Sequence, residues 1–127
     1  MISIKELNPN EYPTNTVIEN NLKILFERLM ELQDAAEMAL TITSGLRSDE
    51  KQMGLIAAGK SKAVGSKHLA GAAADIYDPE GILGKWCLDN LKALERIGLW
   101  MEHPDYTENW VHVQIMAPRS GKRVFIP

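Results

Sequence analysis

Apolar residues recur at two different periods along this chain, and that change of period limits what it can fold into. Between Asn15 and about Glu37, Ile18, Leu22, Leu25, Phe26, Leu29 and Leu32 are spaced by three and four. This predicts an amphipathic helix, with a cap at Asn15 or Thr16 after Pro13. Near the other end, Trp110-Val111-His112-Val113-Gln114-Ile115 alternates strictly. Val111, Val113 and Ile115 then form the core face of a strand, and Trp110, His112 and Gln114 share the opposite face. A chain carrying both periods needs a sheet and helices around one core, so the expected class is α+β, with a small antiparallel sheet packed against helices.

The remaining segments fill in that plan. Leu40 to Ser44 reads as a strand ending at Gly45, with Arg47 at its exit. Ser48, Asp49 and Glu50 open a short helix that stops at Gly59, and a Gly, Ser and Lys loop runs on to Lys67. Ala70 to Tyr77 is small and apolar with Asp75 inside it. Asp78 and Pro79 look like the cap and first position of a third helix, carried by Ile82, Leu83, Trp86, Leu91 and Leu94 and ended by Gly98. Leu99 to Glu102 and Arg123 to Ile126 read as further strands. No repeat or linker divides the 127 residues, and a hydrophobic fraction of 45% suits one domain over 1–127.

Composition excludes several functions. Fourteen basic residues against seventeen acidic ones offer no polycationic face, so nucleic acid is not an expected partner. Lys60, Lys62 and Lys67 read as a solvated loop. No apolar run approaches the ~20 residues that cross a bilayer, so stable membrane insertion is not expected. The first residues lack a basic segment followed by an apolar one, so synthesis in the cytoplasm without a signal peptide is expected. Cys87 is the only cysteine, which rules out an internal disulfide and every Cys-rich metal site. A metal would have to be held by Asp, Glu and the three histidines, His68, His103 and His112.

Ser66-Lys67-His68-Leu69-Ala70-Gly71-Ala72-Ala73-Ala74-Asp75-Ile76 places a His and an Asp seven apart with almost nothing bulky between. An ionised carboxylate in such an apolar strand is costly to bury unless a cation or several donors meet it. His68, Asp75 and His112 together provide two imidazoles and a carboxylate, a set that leaves a fourth position of tetrahedral zinc for water. Other readings stand beside this one. A strand His is commonly a hydrogen-bonded surface residue, Asp75 is a conceivable helix cap although Asp78 is better placed, and His103 suits either a solvated turn or a cleft wall. Cys87 reads as a small buried hydrophobe.

The order Ser66, His68, Gly71, Ala73, Asp75, Ile76, followed by Trp110 and His112, resembles the M15 zinc peptidases. The resemblance covers roughly Leu40 to Ile115 and includes Thr43-Ser44-Gly45-Leu46-Arg47 upstream. It implies the α+β fold that these D-Ala-D-Ala carboxypeptidases and phage L-alanyl-D-glutamate endolysins share with the Hedgehog signalling domain. It also implies Zn²⁺ on His68, Asp75 and His112, and a substrate-side role for Arg47. Many cell-wall members carry the acid/base carboxylate three residues before the last His, where this chain has Asn109. Glu102, Asp105 and Glu108 are the nearby alternatives. A hairpin of Leu99–Glu102 with Trp110–Ile115 would set Glu102 opposite Trp110 on the face of His112, which favours Glu102 over Glu108.

The expected function is therefore a zinc metallopeptidase acting on peptidoglycan stem peptides, phage or prophage encoded, a monomer working at the bacterial cell wall. Glu102 would be the general base, Arg47 would hold a substrate carboxylate, and Trp110 and Gln114 would line the cleft. The alternative is a zinc-containing wall-binding or phage structural module without turnover, a reading that rests on Asn109.

Overall fold

The computed structural model describes residues 2–48 and 66–127. The short helix expected after Ser48 and most of the Lys-containing loop lie outside the described residues. Helix α1 (Thr16–Ala36) begins where Asn15 accepts the Ile18 amide at 2.9 Å, which settles the cap on Asn15 rather than Thr16. Its buried stripe is Leu22, Leu25, Leu29, Leu32 and Ala36, the leucines being those of the expected period.

Five strands make one sheet: β1 (Ile42–Ser44), β2 (Ala73–Tyr77), β3 (Trp100–Glu102), β4 (Trp110–Gln114) and β5 (Val124–Phe125), ordered β1-β2-β4-β3-β5. The first three pairings in that order are antiparallel. β5 departs from the all-antiparallel expectation, because the chain after β4 passes β3 and adds β5 parallel to it. One face of the sheet carries Ala74, Ile76, Met101, Val111 and Val113, all packed with the α1 leucines into the core. The opposite face carries Asp75, His112 and Gln114 as cross-strand and same-strand neighbours.

The single helix expected from Pro79 to Gly98 is two: α2 (Ile82–Asp89) and α3 (Leu91–Ile97). Asn90 breaks it, leaving the helical region at φ −130° and ψ 47° while its side chain donates to the Trp86 carbonyl at 2.8 Å. Asp78 does cap the first half, accepting the amides of Leu83 at 3.0 Å and Gly84 at 2.8 Å. Gly81, at φ 71°, supplies the turn between cap and helix.

Two long side chains of α1 fix the sheet and the site to it. Arg28 donates to the carbonyls of Gly98 and Ile115, and Asn21 to that of Ala70. Gly71, at φ 70°, brings the short 3-10 turn Lys67–Ala70 close to α1, where a Cβ would meet Ile18 and Leu22 at 3.1 Å. The smallness of this stretch thus lets backbone approach a helix.

Candidate metal centre

His68, Asp75 and His112 come from three elements that the sequence separates by up to 44 residues. His68 sits in the 3-10 turn Lys67–Ala70, which Ser66 caps by accepting the His68 amide at 3.2 Å. Asp75 and His112 are paired across β2 and β4. Their ligand atoms lie within 4.8 Å of one another, with His68 and Asp75 buried and His112 nearly so. The alternation of Trp110 to Gln114 and the register of β2 with β4 produce this convergence.

The hydrogen bonds decide which ring nitrogens face inward. His68 Nδ1 lies 2.8 Å from the Gly45 carbonyl, which can only accept, so Nδ1 carries the proton. The Gln114 amide donates through Nε2 to the Met116 carbonyl at 2.8 Å, which orients its Oε1 toward His112 Nε2 at 2.9 Å. His112 Nε2 therefore carries a proton as well. In their neutral forms both imidazoles then aim a bare nitrogen, His68 Nε2 and His112 Nδ1, at Asp75 Oδ1, at 3.2 and 3.0 Å. Three electron-rich atoms meeting in a buried place require a cation between them or extra protons on the rings. The set therefore fits a divalent metal such as zinc.

Arg47 takes the other oxygen of Asp75, at 3.0 Å, and its Nε donates to Ser44 Oγ at 3.1 Å. Its backbone amide also holds the His68 carbonyl at 3.1 Å. Burial alone would favour protonated Asp75, yet the two imidazoles, in the forms that carry extra protons toward it, outweigh burial and hold the carboxyl well below the usual carboxylate range. Burial lowers the basicity of His68 more than Asp75 raises it, with His112 and Arg47 adding to the lowering. For His112 burial is outweighed by Asp75, with Gln114 and Glu102 assisting, so this ring is the more basic.

Gly45 is essential to this arrangement. The segment passes so close to the turn Ile4–Leu7 that a Cβ would lie 2.7 Å from the Leu7 Cα. Leu46 donates to the Leu7 carbonyl at 2.7 Å, which leaves the Gly45 carbonyl turned toward His68.

No profile of a known protein family matches the sequence, and no curated protein aligns with it. Among solved structures, the L-Ala D-Glu endopeptidase ChiX of Serratia marcescens matches 91% of this chain and 99% of its own, with a TM-score of 0.59 and 20% identity. This chain has the fold of that endopeptidase. The α+β architecture implied by the M15 resemblance is thus the one observed, on structure as well as on motifs.

The other residues singled out from the sequence fall in different places. Trp110 opens β4 on the face of His112, opposite Tyr77. Gln114 is only 4% exposed, and both ends of its amide are engaged within the protein, the oxygen by His112 and the nitrogen by the Met116 carbonyl. The β3–β4 register, Trp100 with Gln114 and Met101 with Val113, carries Glu102 next to His112, two residues from the expected place opposite Trp110. The hairpin opens earlier because His103 caps a 3-10 turn at Pro104–Tyr106, accepting the Asp105 amide at 3.1 Å. Parity is kept, so Glu102 stays on the face of His112. Asp105 and Glu108 are exposed in the loop. Asn109 adopts φ 72°, a left-handed turn that Asn tolerates better than most residues, and its carbonyl accepts the Asp78 amide. Phe125, which no sequence pattern pointed to, packs its ring edge-on to His112 with centroids 6.0 Å apart. Its only trace in the sequence is the short apolar run of β5.

Proposed function

We propose that this protein is a zinc-dependent peptidase that hydrolyses a peptide bond in peptidoglycan stem peptides, as a phage-type or carboxypeptidase-type wall enzyme. The observation that carries the reading is the convergence of His68 Nε2, Asp75 Oδ1 and His112 Nδ1, each held by a second partner that leaves the inward atom bare. Zinc there would supply Lewis acidity toward a scissile carbonyl and make water acidic enough to react near neutral pH. Glu102, beside His112, is the proposed general base, taking a proton from the attacking water and delivering it to the leaving amine. Trp110 would flank the bound peptide, and Arg47, besides holding Asp75, would contribute positive charge at the edge of the site. The shared fold with an L-Ala D-Glu endopeptidase supports the reading and makes that bond the first to test.

The test is mass spectrometry of muropeptides before and after incubation with protein of known zinc content. Release of new amino termini at one bond, dependent on His68 and His112, is the expected result. Zinc-loaded protein that sediments with the wall and releases nothing would favour the non-catalytic wall-binding reading.

A further inference from the structure

A substrate-binding role read for Arg47 meets a competitor inside the protein, since its guanidinium already serves Asp75 and Ser44. A second arginine on the same sheet face has, among the described residues, no carboxylate within ion-pair distance. Arg123 immediately precedes β5, and its carbonyl accepts the Met101 amide at 2.9 Å. Val124 pairs with Met101 and Phe125 with Glu102, so Arg123 lies beside Trp100 and shares with Phe125 the face of Glu102 and His112.

Its side chain is held in place. The guanidinium lies 4.3 Å from the centre of the Trp100 ring, and Nη1 donates to the Leu99 carbonyl at 3.0 Å. The stacking and this bond restrict the rotamers that an arginine ordinarily loses on binding. Among the described residues no carboxylate lies within ion-pair distance of it, and its remaining donors have no protein partner. Trp100 is opposite Gln114 and thus a diagonal neighbour of His112, about 7–8 Å away across the sheet, and Arg123 lies one strand further on, over the Trp100 ring.

We infer that Arg123 anchors a carboxylate of the bound peptide, the acidic group adjoining the bond presented to His68, Asp75 and His112. The inference rests on the peptidase reading above. A guanidinium edge matches a planar carboxylate with two parallel N–H···O bonds, and Arg123, beyond Trp100 on the same sheet face, is placed to meet an acid flanking the scissile bond rather than the carbonyl itself. Arg47 would then act through Asp75, and Arg123 would discriminate between an acidic and an amidated substrate.

The experiment compares two stem peptides identical except that the free carboxylate beside the L-Ala to D-Glu bond is a carboxamide in one. Cleavage of each is followed with zinc-loaded protein. Binding is measured by calorimetry on analogues whose scissile amide is replaced by CH₂–NH. Wild type should bind the acid about 10- to 100-fold more tightly than the amide, the range for one charge-assisted interaction. Arg123→Gln should bind both alike, with unchanged zinc content, and Arg123→Lys should restore part of the preference. Equal binding of the two peptides by wild type, or a preference that survives Arg123→Gln, overturns the inference. Selective, Arg123-dependent binding without cleavage of either peptide would uphold the anchor and defeat the peptidase reading.

Discussion

Gln114 shows how one amide can set the tautomer of a histidine in the proposed metal site. Its Nε2 is committed to the Met116 carbonyl, so only its oxygen can face His112. Gln114→Leu removes the acceptor and leaves His112 free to carry its proton on Nδ1, the atom that faces Asp75. Zinc affinity should fall about 10- to 100-fold, measured by competition with a chromophoric chelator, while Gln114→Glu should retain most of it. Nitrogen-15 NMR of the metal-free variants should show the change of tautomer directly. Glu102 makes a second residue-scale prediction. Glu102→Gln should keep fold and zinc but reduce peptide hydrolysis by about 10² to 10⁴, whereas Glu108→Gln and Asp105→Asn should stay active. An inactive Glu108→Gln with its zinc intact would move the base to the loop before β4.

The elements differ in how they are held. α1 carries its own cap and a continuous leucine stripe, but α2 has eight residues and depends on a side chain outside it. Asp78, 8% exposed, spends both carboxylate oxygens on the Leu83 and Gly84 amides. Asp78→Ala should destabilise the protein by about 1–2 kcal/mol, read as a lowered denaturant midpoint with an unchanged slope. Zinc binding should change little, because Asp78 sits beyond the end of β2 and touches none of the ligands. The same carboxylate adds to burial in pushing the Cys87 thiol up to about 12, so Cys87 should resist alkylation until the helix unfolds.

For the whole molecule, pH acts through the buried triad in two ways. In metal-free protein Asp75 has a depressed pKa, so its contribution to stability is present above the unfolded value of about 3.9 and is lost as pH falls through the folded one. His68 is also depressed and loses stability on acidification, below an unfolded value of about 6.5. His112 is raised, so its contribution is present below about 6.5 and is lost as pH rises through its folded value. Zinc needs both rings unprotonated at their inward nitrogens, so its binding should weaken as pH drops. Thermal unfolding with and without zinc should therefore show a stabilisation that is largest at neutral to alkaline pH. Free zinc at 100 times its dissociation constant adds about 2.7 kcal/mol, and chelator should remove it. A zinc effect that grows toward acid pH would mean that other groups hold the metal.

Much of this was legible before folding because it is local. The leucine spacing of α1 names its buried face, and the alternation of β4 puts His112 and Gln114 on one side and Val111 and Val113 on the other. The small residues around His68 and Asp75 mark a place where backbone must come close, and the motif order placed the three candidate ligands. Registers and partners were not legible, because they depend on groups distant in the chain. The step that sets Glu102 beside His112 depends on how the Pro104–Tyr106 turn opens the hairpin. The parallel addition of β5, which brings Phe125 and Arg123 to the site face, depends on a crossing past β3 that no periodicity encodes. Arg47 and Gln114 carry the same hydrogen-bonding groups whether they face a substrate or a neighbour. Only the folded chain places Asp75 within 3.0 Å of one and His112 within 2.9 Å of the other.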